Sequence, residues 1–162
     1  GDGYVVMCDL SAVYAYRDPS TNYCTAGTSS NGCVATLSSS GTPDANAGAG
    51  FTLTASDVDG QRSGLVFYGV SGRVAFPWGT GSSWLCVKSP TQRTAPQSSG
   101  GTSGACDGVL SLDWNAFIAA NPGALGAPFS GGEVVQAQAW YRDPPSAKST
   151  SLSDALEFVV QP

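Results

Sequence analysis

The sequence predicts an all-β protein, a two-sheet antiparallel β-sandwich with Greek-key or jelly-roll connections and one short helix. Short runs of β-branched and aromatic residues recur along its 162 residues. Clusters of Gly, Pro, Asn and Ser separate these runs at the spacing typical of sandwiches. Helix signals occur at one place, where Asp113 can cap Trp114–Ala120 and the turn residues of Asn121–Gly123 end it.

Each predicted strand is a run of apolar or alternating residues between turn-forming residues. In chain order the predicted strands are Tyr4–Leu10, Ala12–Tyr16, Val34–Ser38, Phe51–Ser56, Leu65–Val70, Val74–Phe76, Trp84–Lys88, Val109–Leu112, Val134–Tyr141 and Ala155–Val160.

The strand near the C-terminus has the clearest pattern. Its even positions from Gln136 to Trp140 share one face, and its odd positions from Ala137 to Tyr141 share the other. Arg142, Asp143 and Pro144 end it, because proline has no amide hydrogen for the ladder. We predict a structural turn here, in which Arg142 pairs with a carboxylate or strand-end carbonyls and Asp143 caps the turn through its own backbone.

Composition limits the partners and the compartment. Charged residues make up 12% of the chain and the net charge is −5, which argues against binding nucleic acid through a basic patch. No apolar run is long enough to span a membrane. The chain starts with Gly and shows no signal peptide, which predicts a processed mature protein or a fragment.

The five cysteines favour an extracellular location with disulfides. Cys24 and Cys33 bracket one short loop, and Cys86 and Cys106 bracket another. We predict these two local pairs, each worth roughly 3 kcal/mol in the chain-entropy model. Cys8 is left unpaired or bonded to another chain. The alternative is five free buried thiols; a zinc site is not expected, because no CxxC spacing occurs.

Several motifs resemble an uncharacterised β-rich domain of secreted and surface proteins of environmental bacteria, often placed at the C-terminus. The resemblance covers about Tyr23–Pro162 and implies no catalytic or binding residue. It predicts a domain over residues 23–162 and a separable N-terminal arm over residues 1–22 that can add to a sheet edge. The motifs are Cys24–Thr28, Gly32–Cys33, Ser63–Gly69, Leu85–Val87, Trp140–Pro144 and Leu152–Leu156.

Catalytic and cofactor chemistry is constrained by the absence of histidine, which removes His-based triads and His-ligated metals. Asp57 and Asp59 precede Gly60 as in a calcium loop, but no bidentate Glu follows, so a β-turn is favoured. No phosphate loop or other cofactor motif is present. A carboxylate pair remains open for a hydrolase, with candidates Asp57, Asp59, Asp107, Asp113, Glu133, Asp143, Asp154 and Glu157.

Exposed aromatic rings are the remaining candidates for function. Trp78 and Trp84 flank a Gly-rich turn, and a side-by-side pair there would stack on sugar rings; alternatively, both pack over the sheet ends. Trp114 and Trp140 are expected in the core. We predict a non-catalytic secreted or surface module that binds a polysaccharide or surface polymer. The alternatives are a structural subunit that self-associates through residues 1–22 and, last, the carboxylate hydrolase.

Overall fold

The computed structural model describes residues 20–162, and within them the fold is almost entirely β. The elements are β1 (Ser20–Tyr23), β2 (Thr36–Gly41), β3 (Phe51–Val58), β4 (Ser63–Gly69), β5 (Arg73–Pro77), β6 (Trp84–Val87), β7 (Thr91–Arg93), β8 (Gln97–Ser98), β9 (Gly108–Asp113), α1 (Trp114–Ala120), β10 (Val134–Arg142) and β11 (Thr150–Val159).

Within residues 20–162, the strands form two main antiparallel sheets and confirm the predicted sandwich. The large sheet has the order β1-β11-β10-β4-β7, with β8 also paired to β4, and the small sheet has the order β2-β3-β9. Each strand predicted after Tyr23 is present. The prediction missed β1, β7 and β8, because they are two to four residues long and mostly polar. The predicted strands before residue 20 lie outside the described residues.

The main core lies between the two sheets. Trp114, at the start of α1, is fully buried there. Its ring lies 4.9 Å from that of Phe129 and 5.1 Å from that of Phe158, centroid to centroid. Asp113 caps α1 by accepting a hydrogen bond from the amide of Ala116. The predicted helix and its cap are therefore confirmed, and they place a large aromatic side chain at the centre of the core.

The outer face of the large sheet is covered by a two-stranded ribbon, β5 and β6. Gln138 is fully buried beneath it and hydrogen-bonds the ribbon backbone at Cys86 and Trp84. Trp140 packs against a second, smaller apolar cluster on this face, whereas Ala137, Ala139 and Tyr141 face the main core. The predicted alternation along β10 is confirmed, and each face has its own packing partner.

Residues 20–22 of the predicted N-terminal arm lie at the edge of the large sheet. β1 pairs with β11 along its whole length, from Ser20 opposite Phe158 to Tyr23 opposite Ala155. Asn22 also donates hydrogen bonds to the carbonyl of Leu37 and to the carboxylate of Asp154. Residues 20–22 therefore belong to the large sheet. The rest of the predicted arm, with Cys8, lies outside the described residues.

Two disulfides are present within residues 20–162, but the predicted local pairing is wrong. Cys24 is bonded to Cys86, and Cys33 is bonded to Cys106. The loop between Cys24 and Cys33 starts beside the ribbon and ends beside Asp59. Its two ends therefore meet different partners, and each bond joins parts of the chain that are 62 or 73 residues apart. The four cysteines predicted to form disulfides are the four that do.

No helix within residues 20–162 is long and apolar enough to cross a membrane.

Candidate functional site

Trp78 and Trp84 do not form the side-by-side platform that the sequence predicts. Trp84 pairs with Pro77 across the ribbon, so Trp78 and Trp84 extend to opposite faces. Trp78 is half-buried against the second apolar cluster, and its Nε1 donates to Oγ1 of Thr150 at 2.9 Å. Trp84 is 38% exposed. The ribbon therefore separates the two rings and directs only Trp78 toward the large sheet.

Trp78 lines a cleft of about 170 Å³ between the ribbon and the outer face of the large sheet. We call it the ribbon cleft. Its floor and ribbon wall are apolar, and Ser89, Thr91 and Arg93 supply the polar groups of the opposite wall. The complete lining is Leu65, Phe67, Trp78, Leu85, Ser89, Thr91, Arg93, Trp140 and Leu152.

Trp140 was expected in the core, but it is only partly buried and forms part of this lining. Its position on the same face of β10 as Gln136 and Gln138 was the sequence signal that set it apart from the main core. Arg93 was not predicted, since β7 is too short to recognise from the sequence. The cleft therefore combines Trp78, which the sequence singled out, with residues that only strand pairing brings beside it.

Cations surround the aromatic side chains of the ribbon cleft. The ammonium of Lys148 lies 4.1 Å from the ring centroid of Trp78, and the guanidinium carbon of Arg142 lies 5.6 Å from that of Trp140. Arg93 lines the cleft directly, and no carboxylate side chain from the described part of the chain does so. Three of the seven Lys and Arg residues of this acidic chain are therefore gathered at one small site.

The side chains of the turn after β10 make contacts that the sequence did not predict. The carboxylate of Asp143 does not cap its own turn. It accepts hydrogen bonds from the amide and hydroxyl of Ser30 and from the hydroxyl of Ser151. Arg142 faces the ring of Trp140 and forms no ion pair within residues 20–162. Its predicted carboxylate or carbonyl partner is therefore replaced by an aromatic ring.

Burial of Asp143 by itself would raise the pKa of its carboxyl. The hydrogen bonds from Ser30 and Ser151, together with the charge of Arg62, outweigh burial and lower that pKa. The backbone of Asp143 closes the turn as predicted, because the amide of Ser146 donates to the carbonyl of Asp143. Asp143 therefore stays ionised and joins the loop that contains Ser30 to the end of the large sheet.

Two of the carboxyls considered for hydrolysis lie near each other at the end of the sandwich. Asp59 and Asp143 are both fully buried. The pKa of the Tyr141 hydroxyl is raised first by the burial of Tyr141 itself and then by the negative charges of Asp59 and Asp143. Asp59 accepts a hydrogen bond from Nδ2 of Asn31 at 2.7 Å. Both carboxylates therefore hold the same loop in place, and a substrate in solvent would not reach either one in this conformation.

The two carboxylates of the candidate calcium loop lie in different environments. Asp57 is exposed, whereas Asp59 is buried. Within residues 20–162, no group of three or more Cys, Asp or Glu side chains is placed to hold a metal ion.

In comparisons with known proteins, no protein-family model, curated protein or solved structure matches the chain. The geometry of the ribbon cleft is therefore the basis for interpreting this surface.

Proposed function

We propose that this chain is a non-catalytic, extracellular module that binds a polysaccharide in the ribbon cleft. The observation that carries the proposal is the combination, in one cleft, of two tryptophans with a guanidinium and two hydroxyl groups. Sugars present an apolar ring face and a rim of hydroxyls. Tryptophan provides flat apolar area at low entropic cost, and Ser89, Thr91 and Arg93 can bond the hydroxyls.

The size of the ribbon cleft supports a single sugar residue as the bound unit. Its volume of about 170 Å³ slightly exceeds the ~150 Å³ of an apolar cavity that encloses benzene. A longer polymer would place one ring in the cleft and continue over the surface. The scaffold is rigid at this point, because the disulfide from Cys24 and the hydrogen bonds of Gln138 both fix β6.

The charges favour an acidic polysaccharide. Arg93, Arg142 and Lys148 supply three positive charges at or beside the cleft, whereas the whole chain carries a net charge of −5. A carboxylate-bearing sugar would be attracted to the guanidinium of Arg93. Because the arginine is exposed, salt screens this attraction, and we expect affinity to fall as ionic strength rises.

The extracellular location is supported by the two disulfides, since such bonds persist mainly in oxidising compartments. The resemblance to secreted and surface domains supports the same location as part of the proposal.

The test measures retention and affinity on polygalacturonate and on its methyl ester, which removes the charge and keeps the sugar. We expect Trp78→Ala and Trp140→Ala to weaken binding to both polymers about tenfold or more. Trp84→Ala is the matched control, because this exposed tryptophan does not line the ribbon cleft. We expect Arg93→Gln to weaken binding to the acidic polymer alone.

Two outcomes would contradict the proposal. One is that neither polymer, nor any other polysaccharide in a panel, retains the native protein. The other is that Trp84→Ala weakens binding as much as Trp140→Ala does. Arg93 is exposed, so its replacement should leave the fold intact and remain informative even if a tryptophan variant unfolds. Equal binding of both polymers would support the ribbon cleft as the binding site but reject its preference for acidic sugars.

A further inference from the structure

The two strands of the ribbon lie at different distances from the large sheet. Backbone groups of Cys86 and Trp84 on β6 hydrogen-bond the buried side chain of Gln138. β5 pairs with β6 alone among the strands within residues 20–162, and it reaches the sheet through the long side chain of Arg73, which bonds Glu157. β6 therefore rests on the large sheet, and β5 is the outer strand of the ribbon.

Phe76 on β5 lies directly opposite Leu85 on β6. The irregular part of this pairing lies between Arg73 and Phe76, so the side chains of Phe76 and Leu85 are on the same face of the ribbon. Leu85 lines the ribbon cleft. Phe76 therefore lies on the cleft side of the outer strand, at the rim of the ribbon cleft.

Phe76 is 61% exposed, compared with 38% for Trp84. Single exposed apolar residues are common on protein surfaces, so exposure by itself assigns no role to Phe76. Its position is the informative feature. Trp78 lies two residues farther along the chain and lines the cleft together with Trp140, and alternate residues of an extended chain share a face about 7 Å apart. Aromatic rings thus continue from the inside of the ribbon cleft to its rim.

We propose that Phe76 forms a second sugar-binding position at the rim of the ribbon cleft. This inference rests on the proposed function and names what that site recognises, a stretch of at least two consecutive sugar residues. The cleft has a volume of about 170 Å³ and takes one sugar residue, so the next residue of a polymer lies outside it. At the rim that residue meets the flat ring of Phe76, which covers its apolar face.

The test compares galacturonic acid with trigalacturonic acid as probes, by NMR titration of the indole N–H resonances. We expect the native protein to bind the trimer at least about tenfold more tightly than the monomer. We expect Phe76→Ala to bind the monomer as the native protein does, because Phe76 does not line the cleft. The same variant should lose about fivefold or more of the affinity for the trimer. It keeps only a small statistical gain, since any ring of the trimer can enter the cleft.

Trp84→Ala is the matched control, since Trp84 is an exposed aromatic residue opposite Pro77 and therefore on the other face of the ribbon. It should keep both affinities. Phe76→Tyr retains an aromatic ring and should keep the preference for the trimer, which separates loss of the ring from any loss of the fold.

Three outcomes would overturn the inference. If the ratio of trimer to monomer affinity is the same in the native protein and in Phe76→Ala, the ribbon cleft is a site for a single sugar and the second position is rejected. If Phe76→Ala weakens binding of both probes equally, Phe76 acts on the cleft itself. If the native protein binds neither probe, the polysaccharide proposal fails and this inference fails with it. Equal affinity of the native protein for the two probes rejects the second position without any variant.

Discussion

Gln138 in the large sheet accepts a hydrogen bond from the backbone amide of Cys86 in the ribbon, at 3.0 Å. Its Nε2 donates to the carbonyls of Trp84 and Ser153, each at 2.8 Å. Gln138 has no exposed surface. The side-chain amide of Gln138 thus pairs with backbone groups of β6 in the ribbon and of β11 in the large sheet. These bonds fix the ribbon, which forms one wall of the ribbon cleft.

Replacement of Gln138 by Leu should destabilise the protein by about 2–4 kcal/mol, because it leaves buried backbone groups without partners. Urea unfolding of the two proteins measures the difference. Gln161→Leu is the control, since Gln161 is only partly buried and bonds the nearby Val159 carbonyl. A loss below 1 kcal/mol for Gln138→Leu would mean that the ribbon is held mainly by other contacts.

The disulfide connectivity should be visible in a tryptic digest without reduction. The peptide over residues 18–62 contains Cys24 and Cys33, whereas Cys86 and Cys106 lie in the peptides over residues 74–88 and 94–142. The connectivity in the structure links all three peptides. Tandem mass spectrometry then assigns each bond. Local pairing would instead leave the first peptide free of the others, and such a result would refute the connectivity.

Loss of the Cys33–Cys106 disulfide by double replacement with Ser should cost about 2–5 kcal/mol. Cys33 and Cys106 are 73 residues apart in sequence, and for a closed loop of this length the chain-entropy model gives a stabilisation of about 4 kcal/mol. The loss of stability is measured as the shift of the midpoint of urea unfolding, provided that the dependence of the unfolding free energy on urea concentration is unchanged. An unchanged midpoint would show that the native contacts of this loop suffice without the bond.

Asp143→Asn should reduce the free energy of unfolding at pH 7 by about 2 kcal/mol, since the amide cannot replace a carboxylate that accepts from Ser30 and Ser151. The pKa of Asp143 is lowered in the folded state. Its contribution is therefore present above the unfolded pKa near 4 and is lost as pH falls through the folded pKa.

The difference between native protein and Asp143→Asn should consequently shrink as pH is lowered below about 4. Denaturant unfolding at pH 7 and pH 3 measures it. Asp57→Asn serves as the control, because Asp57 is exposed, and it should have little effect at either pH. A constant difference at both pH values would argue against stabilisation through the ionised carboxylate.

Gly60→Ala should destabilise the protein by about 1–3 kcal/mol through overpacking. A Cβ at Gly60 would lie 2.0 Å from the carbonyl oxygen of Thr102, a backbone atom that cannot move aside cheaply. At Gly48 the same atom would meet nothing within 4 Å, so Gly48→Ala is the matched control. Thermal unfolding compares the two. Equal stability of both variants would indicate that the segment around Thr102 relaxes freely.

A chain that begins at Ser20 should be more stable than one that begins at Tyr23, by about 1–3 kcal/mol. The shorter chain loses most of β1 and the two hydrogen bonds of Asn22 to Leu37 and Asp154. Urea midpoints of the two truncated proteins provide the measurement. Identical midpoints would show that residues 20–22 are separable from the rest of the fold, as the predicted boundary at residue 22 implies.

The sequence by itself determined the local structure. The alternation from Gln136 to Tyr141 assigned the two faces of β10, and Asp113 marked the start of α1. Such signals rest on periodicity and capping, which depend on residues within a few positions of each other. The all-β class followed from the same signals repeated along the chain, and the two-sheet architecture was inferred from their spacing.

Only the tertiary structure decided which distant segments meet. It paired Cys24 with Cys86, separated Trp78 from Trp84, and placed Ser30 against Asp143, 113 residues away. It also brought Arg93 and Trp140 to one cleft. These relationships depend on strand order and on how the ribbon packs over the large sheet. No local pattern encodes them, because many strand orders bury the same alternating faces equally well.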